Sequence, residues 1–151
     1  MTLIEDSRQQ TGKHELKHAR WAELNVPLTR CKLPVGDYAR PPKIAVDTKA
    51  SMQEIAQNIG GSKEEHTRFI NELKLARSID TKLFVLVEND EGIRRLQDVQ
   101  GWHNPREKFS PNCIQGPRLY KAMQTIEERY KCTFLFCRPQ EAADVILDLL
   151  K

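Results

Sequence analysis

The stretch Lys82-Leu83-Phe84-Val85-Leu86-Val87-Glu88 constrains the fold more than any other part of the chain. Its apolar residues run on without the alternation of a strand that is wet on one face, which marks a strand buried on both sides. Such a strand needs helices above and below it, so it belongs inside the sheet of an α/β layered domain. At 151 residues the chain matches one domain with one good core. No internal repeat or linker divides it, and a single domain over 1–151 is expected.

The flanking segments supply the helices. Ser51 with Glu54 and Ser62 with Glu65 are capping boxes. Met52, Ile55, Ala56 and Ile59 follow the i, i+3, i+4, i+7 rule, Gly60-Gly61 ends that helix, and Phe69, Leu73 and Ala76 line the next. An earlier helix is expected from Lys13 to Leu24, with Leu16, Ala19 and Leu24 inward. Pro117 opens a later one with Leu119, Met123, Ile126 and Tyr130 on one side. The last, Pro139 to Leu150, is expected to bury Ala142, Val145, Ile146 and Leu149. Thr2-Leu3-Ile4 reads as a first strand ending at Glu5-Asp6, Pro27 to Val35 as extended, Lys43 to Lys49 as the next strand of a hairpin or meander, and Cys132 to Cys137 as the last strand. A short helix is expected over Gly92 to Val99, then a long loop over 100–116.

The net charge of +3, from 24 basic and 21 acidic groups, is compatible with nucleic acid without arguing for it. No apolar run approaches the roughly 20 residues that span a bilayer. The opening Met1-Thr2-Leu3-Ile4 runs straight into Glu5-Asp6 with no signal pattern, so a cytoplasmic location is expected. The four cysteines form no C-x-x-C pair, which argues against structural zinc. Cys132 and Cys137 should lie on opposite faces of a strand as reduced thiols.

The chemistry-bearing segment runs from Val35 to Gln53. Asp37 follows Gly36, and Lys49 sits two residues beyond Asp47. On an extended strand, side chains two apart share a face. Asp47 and Lys49 then project together, with the Pro41-Pro42 connection expected to fold Asp37 back beside them. Two carboxylates and an ammonium in one place can cradle a divalent cation and an attacking water, the chemistry of phosphodiester hydrolysis. Taken alone, G-D-Y is an ordinary turn and D-x-K an ordinary chance pair.

The order of motifs along the whole chain resembles the nuclease domain of the XPF-type (xeroderma pigmentosum group F) structure-specific endonucleases, in the restriction-like PD-(D/E)xK superfamily. That pattern has G-D, then E-R-K with a later acid, after a strand ending in D-x-R-E. Here Gly36-Asp37-Tyr38, Asp47-Thr48-Lys49 and Asp6-Ser7-Arg8-Gln9 stand at those places. Arg68-Phe69, the run ending at Glu88, and the closing strand, proline and helix from Phe134 to Lys151 continue the match. The departures are Asp47 for Glu, Thr48 for Arg, and Gln9 and Gln53 for two acids.

The resemblance implies a restriction-endonuclease-like central mixed β-sheet flanked by α-helices. It implies a Mg2+- or Mn2+-dependent endonuclease acting on branched, flap or nicked DNA, with no nucleotide cofactor and no membrane partner. Asp37, Asp47 and Asp6 become metal-binding and catalytic acids, the Thr48 carbonyl a further ligand, and Lys49 the group that orients or deprotonates water. Arg8, Lys13, His14 and Arg68 become DNA contacts. His14 and His18 read as a solvated or DNA-facing stripe rather than a metal pair. Trp102, Arg106 and Lys108 read either as a single-strand-binding set or as a flexible basic loop. The resemblance also implies a homodimer, and the family's helix-hairpin-helix module is expected to be absent, as in a minimal bacterial or phage form. The alternative is a DNA-binding or scaffold module of the same fold with weak or lost catalysis, to which Gln9 and Gln53 point.

Overall fold

The apolar run at 82–88 is a strand paired in parallel on both sides, and the rest of the sheet is built outward from it. The structure is a computed structural model that describes residues 2–40 and 43–151. In chain order its elements are β1 (Leu3–Asp6), α1 (Glu15–Glu23), β2 (Leu28–Cys31), β3 (Tyr38–Arg40), β4 (Ile44–Lys49), α2 (Met52–Gly60), α3 (Lys63–Ser78), β5 (Lys82–Glu88), α4 (Gly116–Tyr130), β6 (Thr133–Cys137) and α5 (Ala142–Leu150). The six strands form one sheet in the order β2-β1-β3-β4-β5-β6. β1–β2, β4–β5 and β5–β6 are parallel, whereas β3 runs antiparallel to both neighbours. This is the mixed α/β sheet expected. The Pro41-Pro42 connection lies outside the described residues.

Alternate side chains of the sheet enter two separate cores. Ala45, Leu83, Val85, Val87 and Phe134 pack under α2, α3 and α4, with Met52, Ile55, Phe69, Leu73, Leu119 and Met123. Tyr38, Val46, Leu86 and Cys137 pack on the other face, with Trp21 of α1 and Ile146 and Leu150 of α5. Cys132 and Cys137 fall into different cores, as their spacing requires, and burial pushes their thiols up to about 11 and about 12. Ser51 Oγ accepts from Glu54 N at 3.1 Å and Ser62 Oγ from Glu65 N at 3.2 Å, so both N-caps form as read. Among the described residues no helix is long and apolar enough to cross a membrane.

Several expectations need correction. α1 buries Lys17 and Trp21, while Leu16 is 53% exposed and Leu24 41%. Its inner face meets a polar sheet end and α5, where Trp21 Nε1 donates to Ala143 O at 3.1 Å and the indole packs edge-on against Tyr38. α5 buries Ala143, Leu147 and Leu150 beside Ala142 and Ile146, and leaves Val145 and Leu149 half-buried. It begins at Ala142, after a 3-10 turn at Pro139–Glu141, and packs on both the sheet and α1. The helix expected at Gly92 to Val99 is a 3-10 turn at Leu96–Gly101, because Asp98 Oδ2 caps the amides of Arg94 and Arg95. The loop after it contains a second 3-10 turn at Pro105–Lys108. Trp102 is buried with its Nε1 donating to Glu91, so it offers no stacking surface to single-stranded nucleic acid. β4's hairpin partner is the three-residue β3, while β2, within the extended segment, forms an edge beside β1. At the opposite edge, the Phe134 amide of β6 donates to Glu127 Oε2 at 2.8 Å.

α4 starts against backbone. A Cβ added at Gly116 would lie 2.4 Å from Val99 O and 2.6 Å from Trp102 O. Gly101→Ala would meet nothing within 4 Å. Gly116→Ala is therefore expected to cost about 2–3 kcal/mol in urea unfolding through overpacking, and Gly101→Ala under about 1 kcal/mol. Equal midpoints for the two variants would contradict this packing.

Candidate active site

The strand ladders bring the acids together. Asp6 N donates to Asp37 O at 2.7 Å, and Asp37 N donates to Val46 O at 2.8 Å. The register Tyr38↔Val46 then sets Asp37 opposite Asp47. Asp6, Asp37 and Asp47 thus stand side by side at one end of three adjacent strands. Gly36 makes the approach possible. Its φ is +76°, and a Cβ there would sit 3.0 Å from Val46 O.

Asp47 is buried, and its Oδ2 lies 3.0 Å from Lys49 Nζ. Burial raises its pKa to about 6, opposed by Lys49 and assisted by Asp37. Asp37 Oδ2 accepts the Thr48 amide at 2.8 Å and the Thr48 hydroxyl at 2.6 Å. Burial also raises the Asp37 pKa, against these two hydrogen bonds and the charge of Lys49. Burial works against the charge of Lys49, but Asp47, helped by Glu72 and Glu54, outweighs it and holds its pKa above the usual lysine range. The ammonium also sits 5.2 Å from the Phe69 ring centroid. Lys49 is therefore a fixed cation, suited to orienting water and balancing phosphate charge rather than to removing a proton.

The other expected residues divide around this centre. Asp6 is buried, accepts Leu33 N at 3.1 Å and pairs with Arg8 Nε at 2.9 Å. Arg8 also donates to Leu33 O at 2.6 Å, so this pair clamps the chain leading to Gly36. Among the described residues no three His, Cys, Asp or Glu side chains gather in an arrangement that could hold one ion. The carboxylates at the centre are two, Asp37 and Asp47. Both are raised in pKa by desolvation, an electrostatic demand that a hard divalent cation meets.

Two cavities share Asp37 and Asp47 as a common wall. One, of about 420 Å3, also holds Asp6, Arg8 and Arg68. The other, of about 370 Å3, holds Lys13, His14, Lys17, Lys49 and Glu88. His14 is no solvated stripe. Its ring is buried edge-on to Tyr38, and burial, then Lys17, lower its pKa to about 4. His18 Nε2 lies instead 2.5 Å from Glu5 Oε2. Glu5 points away from the acids and also accepts the Tyr38 hydroxyl at 2.9 Å.

Sequence reasoning missed Glu72. It projects from α3 into the larger cavity, and its Oε1 is buried with no hydrogen-bond partner among the described residues. Burial, then Asp47, raise its pKa to about 7. The signal was present. Phe69, Glu72, Leu73 and Ala76 occupy the i, i+3, i+4 and i+7 positions, so an acid sits in the inward stripe of the helix.

The class of fold follows from this geometry. A mixed sheet with β3 reversed and helices on both faces is an XPF-type fold, and solved structures carry it. XPF from Aeropyrum pernix matches at 21% identity and a TM-score of 0.67, covering 99% of this chain and 59% of that one. XPF from Aeropyrum pernix in complex with DNA matches at 20% identity and a TM-score of 0.67, covering 98% of this chain and 62% of that one. This chain thus spans about three fifths of their length. No protein-family model matches the sequence, and no curated protein matches it.

The raised Glu72 pKa makes stability depend on pH. The unfolded carboxyl ionises near its ordinary 4.5, while the folded one keeps its proton to about 7. The folded state thus loses stability between those values as pH rises. In chelator, Glu72→Gln is expected to flatten the fall in urea midpoint from pH 4.5 to 7. An unchanged slope would mean that Glu72 is solvated.

Proposed function

We propose that this domain is a metal-dependent DNA endonuclease that hydrolyses phosphodiester bonds in branched, flap or nicked DNA. The observation that carries the reading is the pairing of Asp37 with Asp47 across β3 and β4, with Lys49 on Asp47, at the wall between two cavities lined by cations. The XPF-type fold supports it, as does the complex of the Aeropyrum XPF with DNA.

Asp37 and Asp47 would hold Mg2+ or Mn2+, with the Thr48 carbonyl as a further ligand by resemblance. A hard divalent cation supplies a lowered pKa for bound water and a counter-charge for a phosphoryl oxygen. Thr48 fixes the Asp37 carboxylate through its amide and hydroxyl. Lys49, kept charged by Asp47, orients the attacking water and neutralises the scissile phosphate. Arg68 and Arg8 flank one cavity and Lys13 and His14 the other, where they contact neighbouring phosphates. Asp6, held by Arg8 and Leu33, sets the position of the Gly36-Asp37 turn.

Cleavage of fluorescent flap and junction oligonucleotides with Mg2+ or Mn2+ tests the reading. Asp37→Ala, Asp47→Ala and Lys49→Ala, each shown to be folded, are expected to slow cutting about 100-fold or more. Cutting that survives all three would end the assignment. Gln9 and Gln53, where the resembled pattern has acids, favour a second reading as a non-catalytic DNA-binding module or scaffold. That reading predicts no heat on calorimetric titration with divalent ions, whereas the endonuclease predicts a saturable heat lost in Asp47→Ala.

The same reading takes the active form as a homodimer assembled through β6 and α5, where Val145 and Leu149 stay half-buried. Sedimentation at micromolar concentration should give twice the monomer mass, and a clean monomer refutes it.

A further inference from the structure

Helix α1 brings charge to the site from the opposite face of the sheet. Lys17 Nζ lies 2.6 Å from Glu88 Oε2 at the end of β5, and the two side chains are 6% and 9% exposed. A buried ion pair seldom stabilises a fold beyond what well-packed apolar groups would do. Stability alone therefore gives no reason for an ammonium here, but its surroundings do. Lys17 and Glu88 line the 370 Å3 cavity that reaches Asp37, Asp47 and Lys49. His14, one turn before Lys17, lines it too, and its buried Nδ1 has no hydrogen-bond partner among the described residues. An ammonium carries three N–H donors, and a neutral imidazole can donate from Nδ1. Glu88 occupies only part of the Lys17 capacity. A buried cation and an unsatisfied ring nitrogen on one cavity wall suit an anion with several acceptor oxygens.

The geometry points to an anion subsite on α1, formed by Lys17 and His14 with Glu88 as the positioning group, that takes the DNA phosphate adjacent to the one at Asp37 and Asp47. The inference rests on the endonuclease reading and adds to it a second, buried anchor for the same strand. Glu88 holds the ammonium between itself and the incoming phosphate, which keeps the two anions apart and the lysine in one rotamer. Lys17 would thus bind one phosphate flanking the scissile one.

The test is DNA binding by fluorescence anisotropy in chelator, where cutting is suppressed, from 50 to 300 mM KCl. Loss of one phosphate contact lowers the slope of log K against log salt by about one. Lys17→Met is expected to weaken binding about tenfold at 100 mM KCl and to lower the slope by about that amount, and Lys17→Arg to restore both. Lys17→Met could misfold by stranding Glu88, so the paired variant Lys17→Met, Glu88→Leu is measured beside it. A second measurement needs no variant. Neutral methylphosphonate is placed at one phosphate of the strand at a time, and the position next to the scissile phosphate should be among those that weaken wild-type binding most. A folded paired variant with wild-type affinity and slope overturns the subsite, and so does a uniform response to methylphosphonate at every position. A wild-type protein that binds no DNA at 50 mM KCl overturns the endonuclease reading itself, and the subsite with it.

Discussion

Two carboxylates set opposite each other at the end of adjacent strands repel, and desolvation sharpens that repulsion. The pair Asp37 and Asp47 is the feature around which the rest of this domain is arranged. The β3–β4 ladder forces them together, and Gly36 lets the chain come close enough for the ladder to form. Lys49 and Thr48 offset part of the charge, and both acids still titrate above the ordinary carboxylate range. Glu72 adds a third partly buried acid from α3. A fold that gathers acids in this way sacrifices stability at that point, and functional sites are where such local conflict is found.

The two faces of the sheet treat this end differently. Under α2, α3 and α4 stand the acids and Lys49. Under α1, the opposite face carries Glu5 with His18, Arg30 and Tyr38, and Glu88 with Lys17. The resembled pattern has an arginine where this chain has Thr48. The cation beside Glu88 comes from α1, through Lys17. Both cores are apolar further along the strands, which leaves the polar groups concentrated at one end.

Much of this was legible in the residues. β5 announced itself by an unbroken apolar run, and α2 and α3 by serine caps and an inward stripe. Asp37, Asp47 and Lys49 converge as their spacing suggested. What escaped follows a common physical rule. Apolar periodicity cannot report a helix whose buried face is polar, so it places Leu16 inside and gives no sign that Lys17 and His14 are buried. β3, at three residues, is too short to show a period at all. The Gly, Pro and charge around Trp102 suggest a surface ring, yet its indole nitrogen reaches Glu91 and its ring joins the core. Glu72 could have been found by asking which charged residue shares the inward stripe with Phe69, Leu73 and Ala76.

The sheet ends on one side at β6, whose residues Thr133-Phe134-Leu135-Phe136-Cys137 carry no charge. A sheet edge of this kind offers unpaired backbone groups to a further strand. Glu127, reaching from α4 to the Phe134 amide, occupies one of the positions such an intruder would need. With that amide already satisfied, an added strand could not pair there through its backbone without displacing the carboxylate.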